Sequence, residues 1–182
     1  MKHDYIILIV GKSGSGKSTI CRQLEDEYGL KEVKSYTTRP YRGDGDDSHI
    51  FITKQEFKAL NDLVAYTEFD GNYYGATKKQ IDENDLYIID VDGIKYFMEW
   101  YDGKKIPIVI YIETDKSTRI NRMMERGDSV GGAYRRIEHD DAVFNDVNDY
   151  AYKVYINNDM CNRDVIEISR DIYETFFEEK EN

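Results

Sequence analysis

The chain has 182 residues, of which 40% are hydrophobic, and its formal net charge at pH 7 is −11. That length predicts one domain with a substantial core, and the negative charge argues against a protein that coats nucleic acid. The apolar run from Tyr5 to Val10 is too short for a signal peptide or a membrane segment, so no membrane partner is expected. Two distant cysteines, Cys21 and Cys161, lack metal-ligand spacing, which favours buried thiols in a reducing, cytoplasmic setting.

The first element in chain order is a strand, a glycine-rich loop and a helix. The apolar residues 5–10 predict a buried parallel strand, which runs directly into Gly11–Ser18. That loop fits the pattern G-x-x-x-x-G-K-[ST] of phosphate-binding loops. Apolar residues at helical spacing follow in 19–28, and Gly29 is a plausible helix stop. The motif therefore stands in the structural context that it requires, although a glycine-rich turn of no function is the alternative.

The chemistry of a phosphate loop explains this choice of residues. Glycines let successive backbone N–H groups point at phosphate oxygens, and the helix N-terminus adds partial positive charge. Lys17 is expected to reach the β- and γ-phosphates, and the Ser18 hydroxyl is expected to hold Mg²⁺. The predicted triphosphate-binding residues are Gly11, Ser13, Gly14, Ser15, Gly16, Lys17, Ser18 and Thr19.

The remaining chain alternates apolar runs with helical patterns, as α/β proteins do. Further strands are expected at 31–35, 48–52, 63–69, 86–90, 106–112 and 153–156. Helices are expected after the capping-box sequence 53–56, from Thr77 to about Asn84, up to Trp100, and over 133–145 and 161–177. Residues 35–43 read as a polar turn.

Asp90 is a candidate ligand-binding carboxylate. It ends the predicted strand 86–90, and ligands of open α/β sheets bind at the carboxyl ends of strands. It is therefore predicted to contact substrate or the water shell of Mg²⁺. A helix cap for the segment that follows is the alternative.

Arginine is concentrated in two stretches, although the protein is acidic. Seven of the ten arginines fall there, namely Arg39, Arg42, Arg119, Arg122, Arg126, Arg135 and Arg136. The planar guanidinium suits phosphate oxygens, so two further phosphate-binding elements are predicted, with a solvated charged surface as the alternative. Three glycines, Gly127, Gly131 and Gly132, are expected to break the second stretch.

The order of these motifs resembles that of the guanylate kinase family over nearly the whole chain. The resemblance rests on the phosphate loop, Thr37-Thr38-Arg39, the G-N-Y-Y-G turn at Gly71–Gly75, and Arg126-Gly127. It implies an α/β P-loop NTPase fold with a parallel sheet core flanked by helices. The implied core is at 1–34, 86–118 and 142–182, with a monophosphate-binding insert at 35–85 and a lid at 119–141.

The same resemblance implies that ATP, with Mg²⁺, donates its γ-phosphoryl group to a nucleoside monophosphate, foremost GMP or dGMP. A kinase for another nucleotide or small phosphorylated acceptor stays open. So does a non-catalytic binding module, although such a module has no need of Lys17 and Ser18. The sequence carries no signal for an oligomeric state.

Residue roles follow from the resemblance position by position. The implied catalytic residues are Lys17, Arg42, Arg126 and Arg136; the implied monophosphate-binding residues are Ser35, Arg39, Arg42, His49 and Tyr74, together with Asp90. Arg126 would also contact ATP, and Asn157 would lie beside its adenine.

The chain departs from the family pattern where guanine is read. Ala65, Ala76 and Ile88 stand at positions where polar side chains are expected, and His49 replaces a tyrosine. Glu68 is an odd number of residues from Ala65, which puts it on the other face of a regular strand. We therefore expect weak discrimination between bases or a preference for another base. The alternative is that neighbouring side chains or backbone groups recognise guanine instead. We also expect the exchange of both alanines, for Glu and Ser, to improve GMP use.

Overall fold

The computed structural model describes residues 4–41, 43, 47–145, 147–158 and 163–178. Strands and helices alternate within these ranges, as predicted. They are β1 (Tyr5–Val10), α1 (Lys17–Tyr28), β2 (Ser35–Thr37), β3 (His49–Phe51), α2 (Lys54–Lys58), β4 (Leu63–Phe69), β5 (Asn72–Thr77), α3 (Lys78–Glu83), β6 (Leu86–Ile88), α4 (Val91–Trp100), β7 (Ile106–Glu113), α5 (Lys116–Glu125), α6 (Val130–Val143), β8 (Lys153–Ile156) and α7 (Arg163–Phe176), with a short 3-10 helix at Val147–Asp149.

The central sheet is parallel and has the order β6-β1-β7-β8. Strand β1 lies inside it, and its side chains alternate between two apolar clusters, as strands covered on both faces require. Ile6, Leu8 and Val10 face the cluster that includes α4, whereas Ile7 and Ile9 face the cluster that includes α1 and α7. All five are fully buried, so β1 is the fixed frame from which the glycine-rich loop departs.

A second sheet has the order β3-β2-β5-β4 and is formed by the chain between α1 and α3. Strands β4 and β5 form an antiparallel hairpin, and β4 packs on α4. Asp70 and Gly71 make its turn, both with positive φ, a conformation common at short hairpin turns. The parallel strand pair β2–β3 extends the sheet on the other side of β5.

Several local signals hold in detail. Gly29 ends α1 with a φ of 68°. Thr53 with Glu56, and Thr77 with Gln80, form capping boxes at the starts of α2 and α3. In each case the information lies within four residues of the chain, which is why the sequence alone predicts it.

The predicted strand at 31–35 is wrong. There, Glu32 makes one isolated bridge to Leu86, and the strand begins at Ser35 in the other sheet. Residues 35–37 were predicted to open a polar turn because their side chains are polar. The structure instead buries Ser35 and Thr37, and a hydrogen bond of 2.9 Å joins Ser35 Oγ to His49 Nδ1 on the neighbouring strand.

Two further boundaries differ from the prediction. Strand β6 ends at Ile88, so Asp90 begins α4 instead of ending a strand. Gly131 and Gly132 do not break the second arginine stretch, because both lie in the first turn of α6, where Ser129 caps the Gly132 N–H. That helix starts before residue 133 and ends at Val143, two residues short of the prediction.

Between α5 and α6 the chain turns at Gly127, whose φ is 96°. The predicted closing helix starts at Arg163 within the described ranges, and Cys161 lies outside them. Cys21 is buried, as expected. Among the described helices, none combines the length and apolar character that a bilayer crossing needs.

Candidate functional site

The glycine-rich loop lies at the carboxyl end of β1 and depends on glycine at two points. Gly14 and Gly16 have φ values of 80° and 89°, in the left-handed region that favours glycine. A methyl group on Gly14 would lie 2.7 Å from the Arg119 carbonyl oxygen, and one on Gly16 would collide with the Asn157 amide. The loop therefore packs against α5 and the end of β8 too closely to admit side chains.

Asn157 supports the loop from below. Its fully buried side chain donates a hydrogen bond of 2.7 Å from Nδ2 to the Ser15 carbonyl oxygen. Its own carbonyl oxygen accepts hydrogen bonds from Thr114 Oγ1 at 2.9 Å and Arg122 Nη1 at 3.1 Å. Sequence analysis missed this supporting role, because it links positions 142 residues apart. The contact of Asn157 with an adenine stays a prediction.

Lys17 is turned back onto the loop. Its ammonium donates to the carbonyl oxygens of Gly11 at 2.6 Å and Lys12 at 3.3 Å. Burial lowers the pKa of Lys17 to about 8, and the nearby Asp140 carboxylate opposes that effect only in part. Ser18 and Thr19 follow on the first turn of α1, with their side chains exposed.

Two cavities meet at Lys17. The outer cavity, of about 390 Å³, is lined by 14–19 of the loop and by Arg122, Glu125 and Arg126 of α5 and its end. The inner cavity, of about 340 Å³, lies on the other side and is lined by side chains from the loop, the second sheet, β6 and α6. Lys17 lines both cavities, so the two spaces share this one residue.

The inner cavity collects most of the residues that sequence analysis placed at an acceptor. Its lining includes Ser35, His49, Tyr74, Asp90 and Arg136. A hydrogen bond joins Ser35 to His49 in this lining, and the rings of His49 and Tyr74 lie 5.7 Å apart. Residues from five separate parts of the chain thus converge on one pocket beside the loop, as ligand sites commonly do.

Two predicted residues, Arg39 and Arg126, lie apart from this group. The guanidinium of Arg39 lies over the Phe51 ring, 4.8 Å from its centre, and donates to the Pro40 carbonyl at 3.1 Å. Arg42 lies outside the described residues. Arg126 is exposed beside the outer cavity and pairs with Asp128 at 2.6 Å.

Asp90 caps α4, as the alternative interpretation of this residue proposed. Its Oδ1 accepts a hydrogen bond of 2.6 Å from the Gly93 N–H, within the first turn of the helix. The same carboxylate lines the inner cavity, so the cap holds it at the carboxyl end of β6. Its contact with substrate or with the water shell of a metal remains a prediction.

The positions expected to read a base divide into two groups. Ala65 and Ala76 pair across the β4–β5 hairpin and are buried in the apolar cluster under α4, away from the inner cavity. Ile88 does line the cavity, as does Thr67, two residues beyond Ala65 on the same strand face. Glu68 is exposed on the opposite face, as the odd offset predicted.

Sequence analysis did not find Asp140, the carboxylate nearest the loop. Its Oδ2 accepts a hydrogen bond of 2.7 Å from the Ser13 backbone N–H and lies 3.4 Å from Arg119 Nη1. A signal existed, since Asp140 follows Arg136 by one helical turn and therefore shares its helix face. The high arginine content of this stretch indicated phosphate binding by its guanidinium groups, and its carboxylates were assigned no role.

In the part of the chain that the structure describes, no three His, Cys, Asp or Glu side chains are grouped to hold a metal ion. A hydroxyl such as that of Ser18 fits Mg²⁺ that is bound mainly by phosphate oxygens and water.

A buried parallel strand, a glycine-rich loop closing on a helix, and two cavities meeting at the loop lysine define a P-loop protein of the α/β class. A model of the guanylate kinase family matches residues 3–175, and the chain belongs to that family. A solved guanylate kinase structure from Anaplasma phagocytophilum shares the fold, with a TM-score of 0.58 and 22% identity over 97% of this chain and 87% of that one.

Curated relatives are similar over shorter stretches. The guanylate kinase of Clostridium tetani is 33% identical over 139 residues, which are 70% of this chain and 65% of the relative. That of Clostridium perfringens strain SM101 is 37% identical over 97 residues, 48% of this chain and 45% of the relative. The matched stretch thus spans about half the length of the Clostridium perfringens relatives.

Proposed function

We propose that this protein transfers the γ-phosphoryl group of ATP to a nucleoside monophosphate, with GMP or dGMP as the first acceptors to test and GDP or dGDP and ADP as products. The observation that carries the proposal is the placement of Lys17 between two cavities, one at the phosphate loop and one beneath the second sheet. A donor triphosphate in the outer cavity and an acceptor phosphate in the inner cavity would both be within its reach.

Phosphoryl transfer asks for alignment and charge neutralisation more than for a strong base. Lys17, Arg126 and Arg136 supply positive charge around the junction of the cavities, and Arg42 would add to it by family resemblance. Ser18 would help to hold Mg²⁺, which would neutralise negative charge on the phosphate oxygens. The backbone N–H groups of the loop would hold the triphosphate.

The acceptor phosphate would be held by the polar side chains of the inner cavity. Ser35, His49 and Tyr74 form one connected group there, and Asp90 faces them from the start of α4. Arg39 would join them only after leaving its position over the Phe51 ring. In this proposal residues 35–85 are the monophosphate-binding insert between the core segments 1–34, 86–118 and 142–182.

Residues 119–141 would act as the lid. Helices α5 and α6 share a small apolar cluster of their own, formed by Met123, Ala133 and Ile137. Such a cluster supports the movement of the two helices as one unit. Closure would bring Arg136 to the transferred group and exclude water, which otherwise hydrolyses ATP.

A second candidate is a kinase of the same type for a monophosphate with another base. It is favoured by the burial of Ala65 and Ala76 in the core and by the apolar Ile88 in the inner cavity. A pocket rejects a wrong base strongly only if buried polar groups are left unpaired by it. The three positions at which the family resemblance implies polar base-reading side chains carry Ala65, Ala76 and Ile88, which offer no polar side-chain group.

One experiment tests both candidates. ADP release from MgATP is measured with GMP, dGMP, AMP, CMP, UMP and dTMP, with the Lys17→Ala variant as a control for contaminating kinases. If the folded wild type, at saturating MgATP, releases no ADP with any of these monophosphates, the proposal is overturned. A preference for GMP of a thousandfold or more would overturn the second candidate. Use of these metabolites would also fit the expected cytoplasmic location.

A further inference from the structure

The Asp140 carboxylate lies where the loop would meet an anion. Besides accepting the Ser13 N–H, it lies 3.4 Å from the Ser13 hydroxyl through Oδ1 and 3.4 Å from Arg119 through Oδ2. Its charge also acts on Lys17, whose pKa it raises against the effect of burial. A backbone N–H, a hydroxyl, a guanidinium and an ammonium are the donors that phosphate oxygens use.

This carboxylate is buried and belongs to a different part of the chain. The side chain of Asp140 is 9% exposed and that of Arg119 is 3% exposed, so the pair lies beneath the surface. Arg119 Nε finds no hydrogen-bond partner among the described residues, so the pair is not saturated by its surroundings. A buried ion pair with an incomplete set of hydrogen bonds is a weak source of stability, which invites another explanation for its position.

Asp140 also connects the loop to the helix that carries Arg136. The two residues are one turn apart on α6, and both line the inner cavity. Whatever displaces the carboxylate from Ser13 therefore acts on the helix that presents Arg136. The neighbouring Asp141 differs, because it is exposed and pairs with Lys12 at 2.8 Å.

We infer that Asp140 is an internal anion, which occupies the phosphate loop of the empty protein and competes with the terminal phosphate of a nucleotide for the Ser13 N–H. The inference rests on the proposed function only in that the loop must bind a triphosphate. Without a nucleotide, the carboxylate accepts the hydrogen bond of the Ser13 N–H and thereby holds α6 against the loop. Triphosphate binding displaces it and releases the helix that carries Arg136.

Two effects of opposite sign follow for a variant without this anion. Asp140→Asn keeps the size and one acceptor oxygen but removes the charge. We expect it to bind MgATP about tenfold more tightly, because a charge-assisted hydrogen bond no longer competes. The melting temperature of the empty variant should fall by several degrees, since Arg119 loses its nearer and more buried counter-charge and keeps only Asp141, at 3.9 Å. The rise in melting temperature on ligand binding should become larger.

The test is calorimetric titration of MgATP, and separately of inorganic tripolyphosphate with Mg²⁺, into wild type and variants without any monophosphate. Asp141→Asn is the matched control, because it removes the same charge one residue away without touching Ser13, and its affinity should stay within about twofold. The double variant Arg119→Met with Asp140→Leu replaces the buried pair by apolar side chains. It removes the competing anion without changing the net charge, so it should also bind at least threefold more tightly.

The outcomes separate the inference from the proposed function. If the wild type binds MgATP and neither Asp140→Asn nor the double variant binds it more tightly, the inference alone is overturned. Asp140 would then be a structural support of the loop. A folded wild type that binds neither MgATP nor tripolyphosphate would overturn the proposed function and the inference together. Equal tightening in the Asp141→Asn control would reduce the effect to net charge and also overturn the inference.

Discussion

Removal of the Lys17 charge should abolish phosphoryl transfer and yet stabilise the empty protein. The perturbation is Lys17→Met, which keeps the length and apolar stem of the side chain. In the proposed reaction Lys17 supplies charge to the transition state, so turnover should fall on the order of a thousandfold or more. The effect on stability has the opposite sign, because the empty protein holds this ammonium in a buried place.

The magnitude follows from the environment of the ammonium. Lowering its pKa from 10.5 to about 8 corresponds to about 3 kcal/mol of destabilisation of the charged form. Methionine also loses the hydrogen bonds to the Gly11 and Lys12 carbonyl oxygens, at about 1 kcal/mol each. The net gain is about 1 kcal/mol at pH 7, or a rise in melting temperature of about 2–4 °C for a chain of this size.

The pH dependence gives this effect a signature. Below pH 8 the folded and unfolded chains both carry the proton on Lys17, so the cost of burying the charge is fully present. Between pH 8 and 10.5 the unfolded chain binds more protons than the folded one, and the stability contributed by this site rises with pH. The advantage of Lys17→Met over wild type should therefore shrink across that window.

The assay is urea unfolding of both proteins from pH 7 to 10, beside ADP release at pH 7.5. Lys12→Met is the control, since Lys12 belongs to the same loop but pairs with Asp141 at the surface. It should change stability by less than about 1 kcal/mol and keep most of the turnover. A variant Lys17→Met with near-wild-type turnover, or one less stable than wild type at pH 7 by more than 1 kcal/mol, would refute the reasoning.

Three further predictions concern the lid, the core and the support of the loop. Arg136→Ala should lower kcat at least tenfold more than it raises the acceptor KM, because its contact forms mainly on closure, whereas Arg135→Ala should change both little; an effect confined to KM would place Arg136 at the acceptor alone. The exchange Ala65→Glu with Ala76→Ser should lower the free energy of unfolding by about 3 kcal/mol or more, because both sites are buried among apolar side chains; a stable variant with improved GMP use would contradict the burial. Asn157→Ala should cost about 1–3 kcal/mol of stability and weaken MgATP binding, since a loop carbonyl loses its donor; an unchanged ATP affinity would limit that residue to a structural role.

The parts of the fold that the sequence predicts well are those whose causes are local. The strand at 5–10, the glycine loop and the helix up to Gly29 follow from apolar spacing and glycine geometry within one stretch of chain. The strand at 63–69 agrees with its predicted bounds because its apolar residues and its turn at Asp70 are adjacent. Only neighbouring residues are needed to infer such elements.

The features that escaped prediction depend on partners far along the chain. Ser35 is polar yet buried in a strand, because His49 supplies its hydrogen bond. Asn157 supports a loop 142 residues away, and Asp140 reaches Ser13 over 127 residues. The local sequence around a polar residue does not indicate whether a distant residue will supply its hydrogen bond. Composition alone therefore assigns the residue to a turn or to the surface.

In the proposed reaction, the register of the β4–β5 hairpin would decide which residues can contact an acceptor base. A register irregularity lies between Leu63 and Ala65, and pairing is regular from there to the turn. Side chains two residues apart then share a face, so Thr67 continues the face of Ala65 and reaches the inner cavity where Ala65 does not. A polar group for base recognition is thus better placed at Thr67 or Ile88, both of which line that cavity, than at the two buried alanines. We accordingly expect the preference for an acceptor base to depend on the side chains of Ile88, at the carboxyl end of β6, and of Thr67 in β4.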